Sequence, residues 1–255
     1  RIVEAGGLKH IHLSGLTGIG DSCTSSGFDT QAKRMFERAE TCLQQEGISF
    51  QDVVRTWIYI ADLAGDYAAF NPVRTAFFKR QGIRRIPAST GIQGGTLNPS
   101  VGCMLDLYAL QADRPVRIEP MRSPTMNEAP SYGSSFSRGM TVASEEQTVV
   151  YVSGTASIDQ QGQVFCEGDI EGQVNRMLQN VAALLHGQGA SFDDVVTAIT
   201  YLKRPDFLET FYGVWDVCGL PADIPNTVSI ADVCRPEWLC EIEVIAVLPG
   251  GPVLS

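Results

Sequence analysis

Apolar and polar positions along this chain follow two periods, and the same arrangement occurs twice. Between Gln31 and Glu46, the residues Met35, Ala39, Cys42 and Leu43 stand at the i, i+4, i+7, i+8 spacing of one helix face. Met177, Val181, Leu184 and Leu185 hold the same places in a second stretch. Each stretch continues through a Gly-x-Ser-Phe-x-Asp-Val-Val segment, at 47–54 and 189–196, into residues rich in β-branched and aromatic side chains. Asp52–Ile60 and Asp194–Leu202 are therefore expected as strands leaving two helices. The two stretches align at a constant offset without a gap, Gln31 matching Gln173 and Val54 matching Val196. One supersecondary unit has been used twice.

The repeat extends on both sides of these helices. Upstream, Ser14-Gly15 matches Ser153-Gly154, and downstream Trp57-Ile-Tyr59 matches Ile199-Thr-Tyr201. Each half then passes through an aromatic helix to a proline turn, Ile86-Pro87-Ala88 or Ile224-Pro225-Asn226, and closes on an apolar strand. The expected order in each half is strand, strand, helix, strand, helix, strand. Between the halves, residues 113–130 carry Pro115, Pro120, Pro124 and Pro130 with no regular apolar period. That stretch reads as a partly extended connector, since proline disfavours helix at and before itself. The chain thus divides into 1–112, a connector at 113–130, and 131–255, with the first strand of the second unit expected at Phe136–Val142.

Composition narrows the classes of function. A chain of 255 residues, 44% hydrophobic and 19% charged, can bury two modest cores or a shared one. It has no apolar run of the ~18 to 20 residues that a membrane helix needs. Its first residues do not follow the pattern of a signal peptide, and a cytoplasmic location is expected. The formal charge of −10 repels nucleic acid. The one basic cluster, Arg80, Arg84 and Arg85, reads as a solvated helix end. Seven cysteines without a CxxC pair, and three histidines, suggest neither a disulfide framework nor a metal site.

Candidate chemistry gathers near the last strand, in Leu239-Cys-Glu241-Ile-Glu243. Residues two apart share a strand face, so Glu241 and Glu243 point one way and Cys240, Ile242 and Val244 the other. Two acids on one face are either part of a site or solvent-facing groups at a strand end. The first half has Met104 and Asp106 at the equivalent places, so only the second half has both acids.

The pattern Val152-Ser-Gly-Thr, Gly168-Asp169, Gln173, Asp194-Val-Val and Leu239-Cys-Glu241-Ile-Glu243-Val-Ile-Ala246 resembles the RidA superfamily, also called YjgF or L-PSP. The resemblance implies an α/β (α+β) fold of two tandem RidA-like, bacterial chorismate mutase-like domains. Each would be a mixed sheet with two helices on one face, and the family's habit implies a homotrimer. Deaminases of this family bind the substrate carboxylate with an arginine just after the turn proline, where this chain has Ala88 and Asn226.

Four further segments are similar to the chorismatase branch: Ser135-Phe-Ser-Arg138, Val152-Ser-Gly-Thr-Ala-Ser-Ile158, Tyr201-Leu-Lys-Arg204-Pro205, and Ala231-Asp-Val-Cys234-Arg235-Pro-Glu-Trp-Leu-Cys-Glu241. In the first half, Arg55-Thr-Trp57-Ile-Tyr59-Ile and Tyr67-Ala-Ala-Phe70-Asn71 are similar to the same enzymes. The resemblance implies an enzyme that removes pyruvate from chorismate, a small dicarboxylate, without a cofactor or a metal. Alternatives are an enamine or imine deaminase, or a relative that binds a small acid without turnover.

Loss of pyruvate from an enolpyruvyl ether begins with a proton on the methylene carbon, and a carboxylic acid of raised pKa suits that step. Glu241 is the candidate acid. Cys234 is a second catalytic candidate, as nucleophile or proton carrier if an adjacent arginine stabilises its thiolate, and otherwise an inert buried thiol. Carboxylates call for arginine forks, and Arg138, Arg204 and Arg235 are the candidates. Ser153, Thr155 and Ala156, with Gly154 between them, form a turn of small residues that lets a ligand approach the backbone or allows close packing. Tyr201 is a candidate hydrogen-bonding partner for a substrate oxygen, or a core tyrosine.

Overall fold

The structure, a computed structural model, describes residues 1–19 and 27–251, and Cys23 lies outside them. The first domain consists of β1 (Ile2–Ala5), β2 (Leu8–Thr17), α1 (Phe28–Gln45), β3 (Val53–Ile60), α2 (Leu63–Arg80), β4 (Ala88–Gln93) and β5 (Cys103–Ala112). Then follow β6 (Arg117–Pro120), β7 (Gly139–Ala143), β8 (Gln147–Ala156), α3 (Ile170–His186), β9 (Val195–Leu202), α4 (Leu208–Val217), β10 (Asn226–Ile230) and β11 (Cys240–Pro249). The sheets are ordered β1-β2-β5-β3-β4 and β10-β9-β11-β8-β7-β6. Their strands run antiparallel except for the parallel pairs β3–β4 and β9–β10, which α2 and α4 bridge as crossovers. Both domains are therefore mixed sheets carrying two helices.

Three details differ from the sequence reading. Short parallel strands, β4 and β10, follow the two proline turns; their sequences, ASTGIQ and NTVSI, are short and rich in polar residues. The stretch read as a connector contains β6, which pairs with β7 at the edge of the second sheet and ends in Pro120, as an edge position allows. The second unit's first strand after that stretch begins at Gly139, not Phe136, because the Ser137 amide turns aside to bond the Pro87 carbonyl of the first domain at 3.0 Å.

The repeated polar residues have repeated jobs. Ser49 and Asp52 cap the single turn between α1 and β3, the Ser49 amide donating to Asp52 Oδ2 at 2.9 Å. Ser191 and Asp194 do the same before β9, at 2.8 Å. In the first turns of the paired helices, the Gln31 side chain accepts the Gly102 amide at 2.8 Å and Gln173 accepts that of Leu239 at 2.9 Å. Each glutamine thus ties its helix to the approach of the last strand of its own sheet.

Each domain has its own core between helices and sheet. Phe36, Phe50, Phe70 and Phe77 dominate the first, and Met177, Leu184, Phe211 and Trp215 the second. The opposite faces of the sheets meet in a third cluster that joins Val54, Ala88 and Tyr108 to Met140 and Val142. The outer edge of β4 is covered by the second domain through bridges Ala88–Ser137 and Ile92–Val233. A covered edge cannot pair with another chain, and here it lines the boundary where the site lies.

Candidate active site

A cavity of about 180 Å³ opens at that boundary. The first domain lines it with Tyr67, Phe70, Asn71 and Arg74 from α2 and with Ser89 and Gly91 from β4; the second contributes Tyr132, Ser134, Phe136, Arg138, Gly154, Ala156, Cys234, Arg235, Trp238 and Glu241. The walls are aromatic and the few polar groups converge, as in a small-molecule site.

Glu241 lies at the start of β11 and is 4% exposed, while Glu243 is 6% exposed. The reading of these acids as solvent-facing is thereby excluded. Cys240, Ile242 and Val244 belong to the core on the other face, as strand alternation requires. Burial first, and then the charge of Glu243, push the Glu241 pKa up to about 8 against the opposing charges of Arg55 and Arg138. At neutral pH the carboxyl carries its proton.

Cys234 donates its thiol to the Gly91 carbonyl at 3.0 Å. Burial, then the charge of Glu241, pushes its pKa up to about 12, against the smaller opposing effects of Tyr67, Arg74 and Arg235. The neutral thiol, not the thiolate, is the form at rest.

Arg138 and Arg235 line the cavity. Arg138 donates from Nε and Nη2 to the Asn127 carbonyl, at 2.8 and 2.6 Å, and lies over Tyr132 and Phe136. Arg235 donates to the Gly162 carbonyl at 2.8 Å and stacks between Tyr132 and Trp238. Arg204 is elsewhere: its side chain is 63% exposed, its partner is Asp206, and it has no place in the cavity wall. The cause is local, since Asp206 sits in the next turn and takes the guanidinium from two of its nitrogens.

Arg74 was not singled out by the sequence, and it is the most informative cation in the cavity. It is 4% exposed, bonds Asn71 Oδ1 through Nη2 at 2.7 Å, and leaves Nε buried without a hydrogen-bond partner. Burial drives its pKa down, but a guanidinium keeps its proton in proteins. Among the described residues, neither Arg74 nor Arg138 nor Arg235 forms an ion pair with a carboxylate. The spacing Asn71-x-x-Arg74 in an aromatic helix was the available signal, readable only once α2 is known to face the other domain.

The remaining candidates divide between lining and support. Gly154 and Ala156 face the cavity. Ser153 is fully buried and joins the domains, accepting the Ser89 amide at 3.0 Å and donating to the Ser137 carbonyl at 2.6 Å. Thr155 donates to the Ser153 carbonyl at 2.8 Å; the segment read as a turn of small residues is the end of strand β8, where the register against β11 shifts between Val152 and Thr155. Tyr201 sits beside Glu241 in the β9–β11 register and packs in the core, where burial raises its pKa. Of the family's deaminase positions, Ala88 is buried between the domains and Asn226, on β10, accepts the Thr200 hydroxyl of β9. Among the described residues, no group of three or more histidine, cysteine and carboxylate side chains is arranged to hold a metal ion. Nor is any described helix long and apolar enough to cross a membrane.

The endoribonuclease L-PSP family profile matches residues 3–111 and again 126–248, one match for each domain. The chain belongs to this family. A RutC family protein of Saccharolobus solfataricus is 31% identical over 122 residues, covering 47% of this chain and 91% of the relative. A RutC family protein of Pyrococcus abyssi is 39% identical over 54 residues, which cover 21% of this chain and 42% of the relative. The latter match spans less than half of the relative's length. Among solved structures, the crystal structure of a chorismatase superposes with a TM-score of 0.75 at 20% identity, covering 96% of this chain and 78% of that one. At that identity the likeness is one of fold, and it takes in both domains.

Proposed function

We propose that this L-PSP family member is a chorismatase-like enzyme, which removes pyruvate from chorismate or a closely related small dicarboxylate. One observation carries the reading: three arginines without acidic partners surround a protonated glutamic acid in an aromatic-walled cavity between the domains. A buried cation without a counter-ion is costly unless a ligand supplies the charge. Two ligand carboxylates would answer that need, and arginine forks bind them with directional bonds.

In this reading Glu241 gives its proton to the methylene carbon of the enolpyruvyl ether, turning it into a methyl group. The cation left at the ether carbon then takes one of two routes. Water adds there and the hemiketal collapses, giving pyruvate and a dihydroxycyclohexadiene. Alternatively, the ring rearranges and loses pyruvate without net uptake of water, giving a hydroxybenzoate. Cys234, a neutral thiol beside the same cavity, is placed to assist the second route as a proton donor and acceptor. Arg74, Arg138 and Arg235 hold the carboxylates, and the aromatic walls exclude water from the cation.

The test is to incubate the purified protein with chorismate, following pyruvate by a coupled assay and ring products by chromatography. Pyruvate release that is abolished in Glu241→Gln, with ligand binding retained, is the expected result. No pyruvate from folded protein, with the assay controls active, overturns the reading and leaves a small-acid binder. Ammonia release from imines of amino acids would instead mark a deaminase.

A further inference from the structure

Glu243 is absent from the wall of that cavity, yet it is buried and donors of the other domain, one of them charged, occupy both its oxygens. Oε2 accepts Arg55 Nη2 at 2.7 Å and Oε1 accepts Trp57 Nε1 at 2.8 Å. The same Arg55 Nη2 donates to Thr90 Oγ1. That hydroxyl in turn accepts the Gly154 amide at 3.0 Å, and the Glu241 carboxyl rests against Gly154. Arg55 therefore reaches from β3 both to Glu243 on the strand of Glu241 and, through Thr90, to the β8 glycine against which the Glu241 carboxyl rests. A buried ion pair is rarely more stabilising than apolar residues of the same volume, so stability alone does not account for this one.

We propose that Arg55 and Glu243 are positioning residues for Glu241, acting across the domain boundary on the place and charge of its carboxyl. This rests on the reading of Glu241 as the proton donor. The groups that act on or face it are Glu243 on its own strand, Arg55 from β3, Arg138 from the segment before β7, Tyr201 from β9, Cys234 from the loop after β10, and the adjoining Cys240. Among these, Glu243 favours the protonated carboxyl and Arg55 opposes it, although the two form one ion pair. The pair thus balances two opposed fields while it fixes the geometry.

The experiment follows the pH dependence of pyruvate release in Glu243→Gln and in the double variant Arg55→Met/Glu243→Gln. Glu243→Gln leaves the Arg55 charge unopposed, so the alkaline limb of kcat moves down by about one pH unit or more. Removing both charges moves the limb back toward that of the parent, even if kcat is lower throughout. A structural role alone would lower kcat without moving the limb, and the double variant would be no better than the single one. Titration of carbon-13-labelled glutamate carboxyls by NMR reads the same shift without turnover. An unmoved Glu241 titration in Glu243→Gln overturns the inference. A moved titration in a protein that releases no pyruvate supports the positioning and overturns only the proposed reaction. Glu243→Gln is close to isosteric and keeps an acceptor for Trp57, so it decides the question even if the double variant does not fold.

Discussion

Glu241 Oε1 lies so close to Gly154 that a β-carbon on Gly154 would come within 2.0 Å of it. The Thr90 methyl group, from the other domain, would be 3.1 Å away. Gly154→Ala must therefore push the carboxyl aside, because Thr90 is held by Arg55 and by the Gly154 amide. Misplacing a reacting group by about 1 Å costs on the order of 10²-fold in rate. Pyruvate release by Gly154→Ala is expected to fall by about that factor, while its thermal melt stays within a few degrees of the parent's. An unchanged kcat would show that the carboxyl does not need the place it occupies.

The raised pKa of Glu241 has consequences for both stability and rate. The folded chain holds a proton there up to about pH 8, whereas a carboxyl of ordinary pKa, as in the unfolded chain, releases it near 4.5. More protons are then bound in the folded state between those values, so this group's contribution is complete below 4.5 and is lost as pH rises toward 8. Melting temperatures of the parent are expected to decline relative to Glu241→Gln across that window, with the variant the more stable at alkaline pH. Turnover should fail in the same direction, since only the protonated acid can donate. Parallel Tm profiles for the two proteins would contradict the assignment.

The fold was legible because the repeat is written in residues with structural duties. Ser49 and Asp52, Ser191 and Asp194, Gln31 and Gln173 cap and tie the same elements in each domain, so sequence periodicity and hydrogen bonding report one architecture. β4 and β10 escaped, since their short polar sequences gain their order from a neighbouring strand, and β6 was hidden by its prolines. For the site, the segments Val152–Ile158 and Ala231–Glu241 marked one wall. The opposite wall comes from α2, whose apolar pattern serves the core on one side, and Arg74 acquires meaning only when the second domain closes over it. Arg204 shows the converse: an arginine in a marked segment, already satisfied by Asp206 two residues away.

Arg74 predicts a conflict between binding and stability. Its buried Nε has no partner and its charge no counter-ion, so removing it relieves a desolvation cost that only a ligand offsets. Arg74→Met is expected to melt no lower than the parent in the absence of ligand. Charge-assisted bonds contribute about 1.5 to 3 kcal/mol, so its affinity for chorismate, measured by calorimetry on a Glu241→Gln background, should drop by roughly 10 to 100-fold. A variant that binds normally would remove Arg74 from the carboxylate site.

Ser153 predicts the opposite balance, with stability lost first. Its hydroxyl both accepts the Ser89 amide and donates to the Ser137 carbonyl, and all three residues are buried at the domain boundary. Ser153→Ala leaves that amide and that carbonyl without the hydroxyl that joined them, and an unsatisfied buried group costs about 1 to 3 kcal/mol. The expected outcome is a clear fall in Tm and in the denaturant midpoint. Because Ser89 itself lines the cavity, the affinity for chorismate should weaken as well, less than in Arg74→Met. Ser153→Thr keeps the hydroxyl but adds a methyl group to a fully buried site, so it tests the hydrogen bonds against packing: recovery of Tm toward the parent would credit the bonds, and a loss equal to that of alanine would credit the tight fit of this part of β8.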